Sequence, residues 1–164
     1  MTNASRDTSS GLRFEDATKI VRDGKDISKT EFVKYIKEHG GTPTDWTRYP
    51  DAAFIWEDDK EIVIYEKKFQ EKDGSADEKP AIGPFLLSQY RKMAATIGIR
   101  PEKVTLIYIF SDYFKAPKYK DMLDYIEENG CKYTFWSDEE KREEMLNYRA
   151  PKGTIKNLIS KLFH

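Results

Sequence analysis

Residues 104–110, VTLIYIF, are an almost unbroken apolar run, and no other feature of the chain restricts its fold so strongly. A strand that is apolar on both pleat faces must be covered on both, as an inner strand of a parallel or mixed α/β sheet is. The flanking segments can supply such covers. Residues 84–97 (PFLLSQYRKMAATI), stopped by Gly98, carry helical periodicity, as do residues 118–128, ended by Asn129-Gly130. Residues 131–136 (CKYTFW) read as a further strand.

Upstream, residues 52–56 (AAFIW) and 61–69 (EIVIYEKKF) are two strands joined by the polar turn Glu57-Asp58-Asp59-Lys60, a hairpin with a four-residue loop. A helix precedes them, with Phe32, Val33, Tyr35 and Ile36 as its stripe, Gly40-Gly41 as its stop, and Ser28 or Thr30 as its expected cap. Residues 42–49 look extended and are cut by Pro43, and residues 12–27 read as a short strand pair turning at Asp23-Gly24. The expected order is α-β-β-β-α-β-α-β, then helices over 138–148 and 154–163. This predicts an α/β fold, a mixed sheet flanked by helices. Residues 1–11 (MTNASRDTSSG) form a polar lead-in expected to be disordered. Residues 12–164 fit a single domain, with 138–164 as a helical C-terminal extension.

Composition narrows the function classes. Twenty-eight basic residues against 29 acidic ones leave a formal net charge of −1, so non-specific electrostatic coating of nucleic acid is disfavoured. One cysteine, Cys131, excludes an intrachain disulfide and a cysteine-rich zinc site, and two histidines, His39 and His164, leave little for histidine chemistry. No stretch reaches the roughly eighteen apolar residues of a membrane span. A cytoplasmic protein without a membrane partner is expected.

A carboxylate two residues before a lysine occurs five times: Asp23/Lys25, Asp58/Lys60, Glu66/Lys68, Asp77/Lys79 and Glu139/Lys141. Only Glu66/Lys68 lies within a strongly apolar strand, where alternation puts Glu66, Lys68 and Gln70 on the face of Ile62 and Ile64. Charges there are costly unless paired or used. The hairpin turn supplies the rest. With residues 57–60 as loop, Trp56 opposes Glu61, Ala53 opposes Ile64 and Asp51 opposes Glu66, with Cβ atoms roughly 4.5–5.5 Å apart. Two adjacent carboxylates repel unless a cation lies between them. Such a pair suits Mg²⁺, and a neighbouring lysine can orient a water or stabilise developing charge.

Pro50-Asp51, fourteen residues, then Glu66-Lys67-Lys68 resembles the PD-(D/E)xK nuclease superfamily, whose common core is αβββαβ. Residues 65–79 (YEKKFQEKDGSADEK) are similar to a segment of type II restriction endonucleases, in which an EKKFQ run precedes a GS-DEK loop and a helix. The resemblance covers roughly residues 30–136. It implies a restriction-endonuclease-like core with Asp51 and Glu66 as metal ligands, completed by the Lys67 backbone carbonyl, and with Lys68 acting on the water. It further implies a Mg²⁺-dependent endonuclease on double-stranded DNA, with Mn²⁺ able to substitute, commonly working as a homodimer.

The bland reading of the trio is a cross-strand salt bridge, but such pairs ordinarily sit on exposed faces. Glu31 is a candidate third acidic group, set against an ordinary first-turn glutamate favoured by the helix dipole. Gln70 is a candidate accessory residue, set against a solvated strand end. Arg48, Lys72, Lys79, Arg91 and Lys92 are candidate phosphate contacts, each set against a solvated surface charge. The aromatics Trp46, Tyr65, Tyr90, Tyr108, Phe110 and Trp136 read mostly as core by strand and helix spacing, with no base stacking assigned. Type II restriction is the expected role. A homing, repair or phage nuclease of the same fold and a non-catalytic DNA-binding module are the alternatives.

Overall fold

A computed structural model describes residues 18–72 and 77–152. Among the described residues, nine strands and α-helices follow one another, short 3-10 turns aside: β1 (Lys25–Asp26), α1 (Thr30–Glu38), β2 (Ala52–Trp56), β3 (Glu61–Lys68), α2 (Gly83–Ala95), β4 (Val104–Phe110), α3 (Lys120–Glu128), β5 (Lys132–Phe135) and α4 (Glu139–Leu146). The strands lie side by side in sequence order in one mixed sheet. Pairing is antiparallel from β1 to β3 and parallel from β3 to β5. The α/β expectation and the mixed sheet are both met.

The hairpin register is the one the turn predicts. Trp56 pairs with Glu61, Ile55 with Ile62, Ala53 with Ile64 and Ala52 with Tyr65. Lys60 closes the loop at φ 49°, a left-handed position of the kind four-residue loops need at their end. The inner strand β4 is buried at all seven residues, as its sequence requires.

Both crossover helices lie on one face. Strands β3, β4 and β5 are parallel and progress in one direction, and the right-handed rule for β-α-β crossovers then places α2 and α3 on the same side, as their shared core cluster shows. There Leu86, Leu87, Tyr90, Leu123 and Ile126 join Phe32 and Ile36 of α1 over Ile62, Ile64, Leu106 and Phe110. The opposite face carries Ala52, Phe54, Val63, Tyr65, Ile107 and Ile109 and is covered by Met145 of α4, with Ile20 and Tyr148 at its margin. The segment expected as a C-terminal extension is thus, through Ala150, half of the covering of the sheet. Residues 154–163 and 1–11 lie outside the described residues.

Two expectations fail on local chemistry. Residues 42–49 form no strand; the outer antiparallel strand is Lys25–Asp26, placed before the first helix. Neither Ser28 nor Thr30 caps α1. Ser28 Oγ accepts the Ala53 N–H at 3.0 Å, serving the sheet edge instead. Lys29 holds the N-cap position at φ 54°, ψ −130°, and its N–H donates to the Pro50 carbonyl at 2.8 Å. Among the described residues no helix is long and apolar enough to cross a membrane.

Candidate active site

Asp51 stands one residue before β2, behind a buried proline whose carbonyl is fixed by Lys29. The ladder ends with Ala52 against Tyr65, so one further step sets Asp51 against Glu66. The Asp51 carboxylate turns across the strand gap, and Oδ2 accepts the Lys67 N–H at 2.8 Å. That bond extends the hairpin by a side chain where the backbone ladder has stopped, and it anchors the carboxylate beside Glu66.

Glu66 is only 6% exposed. Its Oε1 accepts from the Tyr90 hydroxyl at 3.2 Å, and its Oε2 lies 3.8 Å from Lys68 Nζ. Those partners do not compensate for the site. Burial, and then the charge of Asp51, push the Glu66 carboxyl up to about 7, against the opposing pull of Lys68, Tyr90 and Arg48. A carboxylate raised by desolvation and a like charge in one place fits a group awaiting a cation.

Tyr108 directly opposes Glu66 across the β3–β4 ladder. Its hydroxyl is buried with no hydrogen-bond partner among the described residues. Burial first, and then Glu66, hold that phenol above its ordinary range. Gly83, at the start of α2, explains how the ring fits. A Cβ there would stand 2.6 Å from Tyr108 Cε2, so only glycine lets the helix rest on the tyrosine.

The trio Asp51, Glu66 and Lys68 therefore comes together as the turn and strand parity predict, and Arg48 joins it through its charge on Glu66. Other candidates go elsewhere. Glu31 is exposed and sits 3.9 Å from Lys34 on its own helix. Gln70 Nε2 donates to the Asp77 carboxylate and to the Lys72 carbonyl, so this amide anchors its own loop. Lys72 and Lys79 are exposed in the segment that follows β3, on either side of that anchor.

Arg91 lies at the wrong end of the sheet. Its Nη2 donates to the Val104 carbonyl at 3.3 Å, four residues before Tyr108 and thus roughly 13 Å from the Glu66 row. Lys92 is exposed in the last turn of the same helix. Two hydroxyls read as core, those of Tyr90 and Tyr108, belong to the site instead. Their rings are core; the sequence holds no signal for where the hydroxyls point.

Asp77 is a second polar centre, outside the trio. Tyr113 and Tyr119 donate to it, and Lys118 Nζ lies 3.8 Å away. It ties the start of α2 to the segment after β4. Among the described residues no three His, Cys, Asp or Glu side chains gather as a metal cage. Two carboxylates remain an adequate protein share for Mg²⁺, which keeps several waters.

Fold and site together define an α/β protein whose mixed sheet presents a buried glutamate, a half-buried aspartate and a lysine at one strand end. Comparison with family models, curated proteins and solved structures returned no match.

Proposed function

We propose that this chain is a Mg²⁺-dependent endonuclease that hydrolyses DNA phosphodiester bonds, of the PD-(D/E)xK type with a restriction-endonuclease-like core, and that type II restriction is its role. The observation that carries the reading is the placement of Glu66 beside Asp51 with Lys68 Nζ 3.8 Å away, on a face that is otherwise core. A structural ion pair would match one carboxylate with one cation; here a second carboxylate is added and the first is pushed up to about 7.

A divalent cation fits this donor set. Asp51, Glu66 and the Lys67 carbonyl would hold it, and when bound it polarises a phosphoryl oxygen and acidifies a water. The chain's own groups do the remainder. Tyr90 fixes one Glu66 oxygen, leaving the carboxylate one orientation. Asp51 is fixed by the Lys67 N–H in the same way. Lys68, partly exposed beside the pair, can orient the attacking water and stabilise charge on the phosphate. Arg48 supplies a second positive group at the same end of the sheet, suited to a phosphate oxygen.

The test is supercoiled plasmid incubated with Mg²⁺ or EDTA. Wild type should cut only with Mg²⁺, and discrete fragments would mark sequence-specific restriction, whereas a smear would mark a non-specific nuclease. Glu66→Ala should lose cutting entirely and Lys68→Ala by on the order of 100- to 1,000-fold. Equal cutting by wild type and Glu66→Ala overturns the assignment.

A further inference from the structure

Beside the carboxylates lies an aromatic surface that the trio does not use. Trp46, in a set of aromatics read mostly as core, is 43% exposed, and Phe85 is 47% exposed. Trp46 and Phe85 touch, with ring centroids 4.9 Å apart at 44°. The Arg48 guanidinium lies over the Trp46 ring, 5.3 Å from its centroid. Single exposed aromatics are ordinary, but two in mutual contact under an arginine form a patch.

Its position is fixed from both sides. Trp46 is five residues before Asp51, on the segment held at Pro50 by Lys29. Phe85 is two residues after Gly83, whose backbone rests on Tyr108, the cross-strand neighbour of Glu66. The patch is thus a rim of the site, and Arg48, over the Trp46 ring, also acts by its charge on Glu66.

Chemistry selects the occupant. About half-exposed, the two rings offer on the order of 200 Å², well under the roughly 800 Å² each partner brings to a stable protein interface. A flat ring face with a cation at its edge suits a base joined to its phosphate: the ring stacks and the guanidinium meets the phosphate oxygen. A base inside a duplex already has its faces covered, so only an unpaired one can use the platform.

We propose that Trp46, backed by Phe85 and flanked by Arg48, is a stacking platform for one unpaired base beside the phosphodiester that is cut, so that the preferred substrate is DNA with an unpaired or extruded nucleotide at that point. The inference rests on the nuclease reading and deepens it by naming the substrate's local form.

The experiment uses the full chain in EDTA, so that no cutting is needed for a result. A hairpin DNA with one unpaired 2-aminopurine is compared with the same hairpin fully paired. The unpaired form should bind on the order of tenfold tighter, with quenched 2-aminopurine fluorescence. Trp46→Ala should lose both effects with an unchanged urea midpoint, and Trp46→Phe should restore part of each. Equal affinity for the two hairpins, or quenching that survives in Trp46→Ala, overturns the platform. Sedimentation in which Trp46→Ala turns a dimer into monomers also overturns it, by giving the patch to a second copy. The two readings fail separately. Mg²⁺-dependent plasmid cutting without a preference for the unpaired hairpin sinks the platform alone; quenching without any cutting supports the platform and sinks the nuclease.

Discussion

Strand β3 buries two glutamates five residues apart, and their surroundings are opposite in kind. Glu61, 1% exposed, accepts from Arg149 Nε at 3.0 Å and from the Ala150 N–H at 2.9 Å. Arg149 also reaches Asp59, so a compact ion network closes the hairpin end of the sheet. Glu66, 6% exposed on the other face, has one hydroxyl at 3.2 Å, a lysine at 3.8 Å and a like charge alongside. Burial alone does not distinguish the proposed functional acid from a structural one. What distinguishes them is whether the surrounding donors match the charge: around Glu61 they do, and around Glu66 an added carboxylate ensures that they do not.

The contrast can be broken by mutation. Glu61→Ala strips Arg149 and the Ala150 N–H of their acceptor and should lower stability by about 3 kcal/mol, read from urea unfolding. Glu66→Gln should lower it little, and at pH 8 should raise it. Equal destabilisation by the two variants would mean that Glu61 and Glu66 are held by their surroundings alike.

The same contrast has a pH form. The folded chain binds the Glu66 proton more tightly than the unfolded chain, with a carboxyl at about 7 against 4.5. Stability from this group is fully present below pH 4.5 and is lost as pH rises to about 7, on the order of 3 kcal/mol in all. Urea midpoints at pH 5 and pH 8 should show that loss in wild type, and Glu66→Gln should flatten it. Added Mg²⁺ should restore stability at pH 8 and shift the Glu66 titration downward.

The smallest effect belongs to Tyr90. Tyr90→Phe removes the hydroxyl that steadies the Glu66 anion and should move its titration upward by roughly half to one unit, followed by carbon NMR of the carboxyl. An unchanged midpoint would mean that the 3.2 Å contact does not act on the charge.

Most of what positions the trio was legible because it follows from two local rules. A four-residue loop fixes the register, and strand parity fixes the face, so Asp51 and Glu66 could be paired before any fold was known. The run at 104–110 likewise marked the inner strand without ambiguity. What could not be read depends on distant partners. Glu61 gave no sign of its role, since Arg149 is 88 residues away. Arg48 and Arg91 look equally eligible in the sequence, and only the direction of β4 separates them, putting Arg91 beside Val104 and far from Glu66. The strand Lys25–Asp26 is two residues long and polar, too short to carry any period. Ser28 had the chemistry of a helix cap, but the edge of β2 presented a nearer donor.

The sheet's second face has a consequence for the order in which its layers are covered during synthesis. Asp51, Glu66, Lys68 and Tyr90 have all been synthesised by the end of α2. The underside of that sheet waits longer: the Tyr65 hydroxyl donates to the Met145 carbonyl, and Arg22 reaches both Tyr65 and the Tyr148 carbonyl. A nascent chain that has emerged only through β5 therefore carries its candidate catalytic groups above a bare layer of Phe54, Val63, Ile107 and Ile109. Such a layer is what chaperones and proteases bind. The last turn of α4 and the Arg149-Ala150 pair thus seal the underside late, and a chain truncated just before them would hold the proposed site while leaving that layer open to chaperones and proteases.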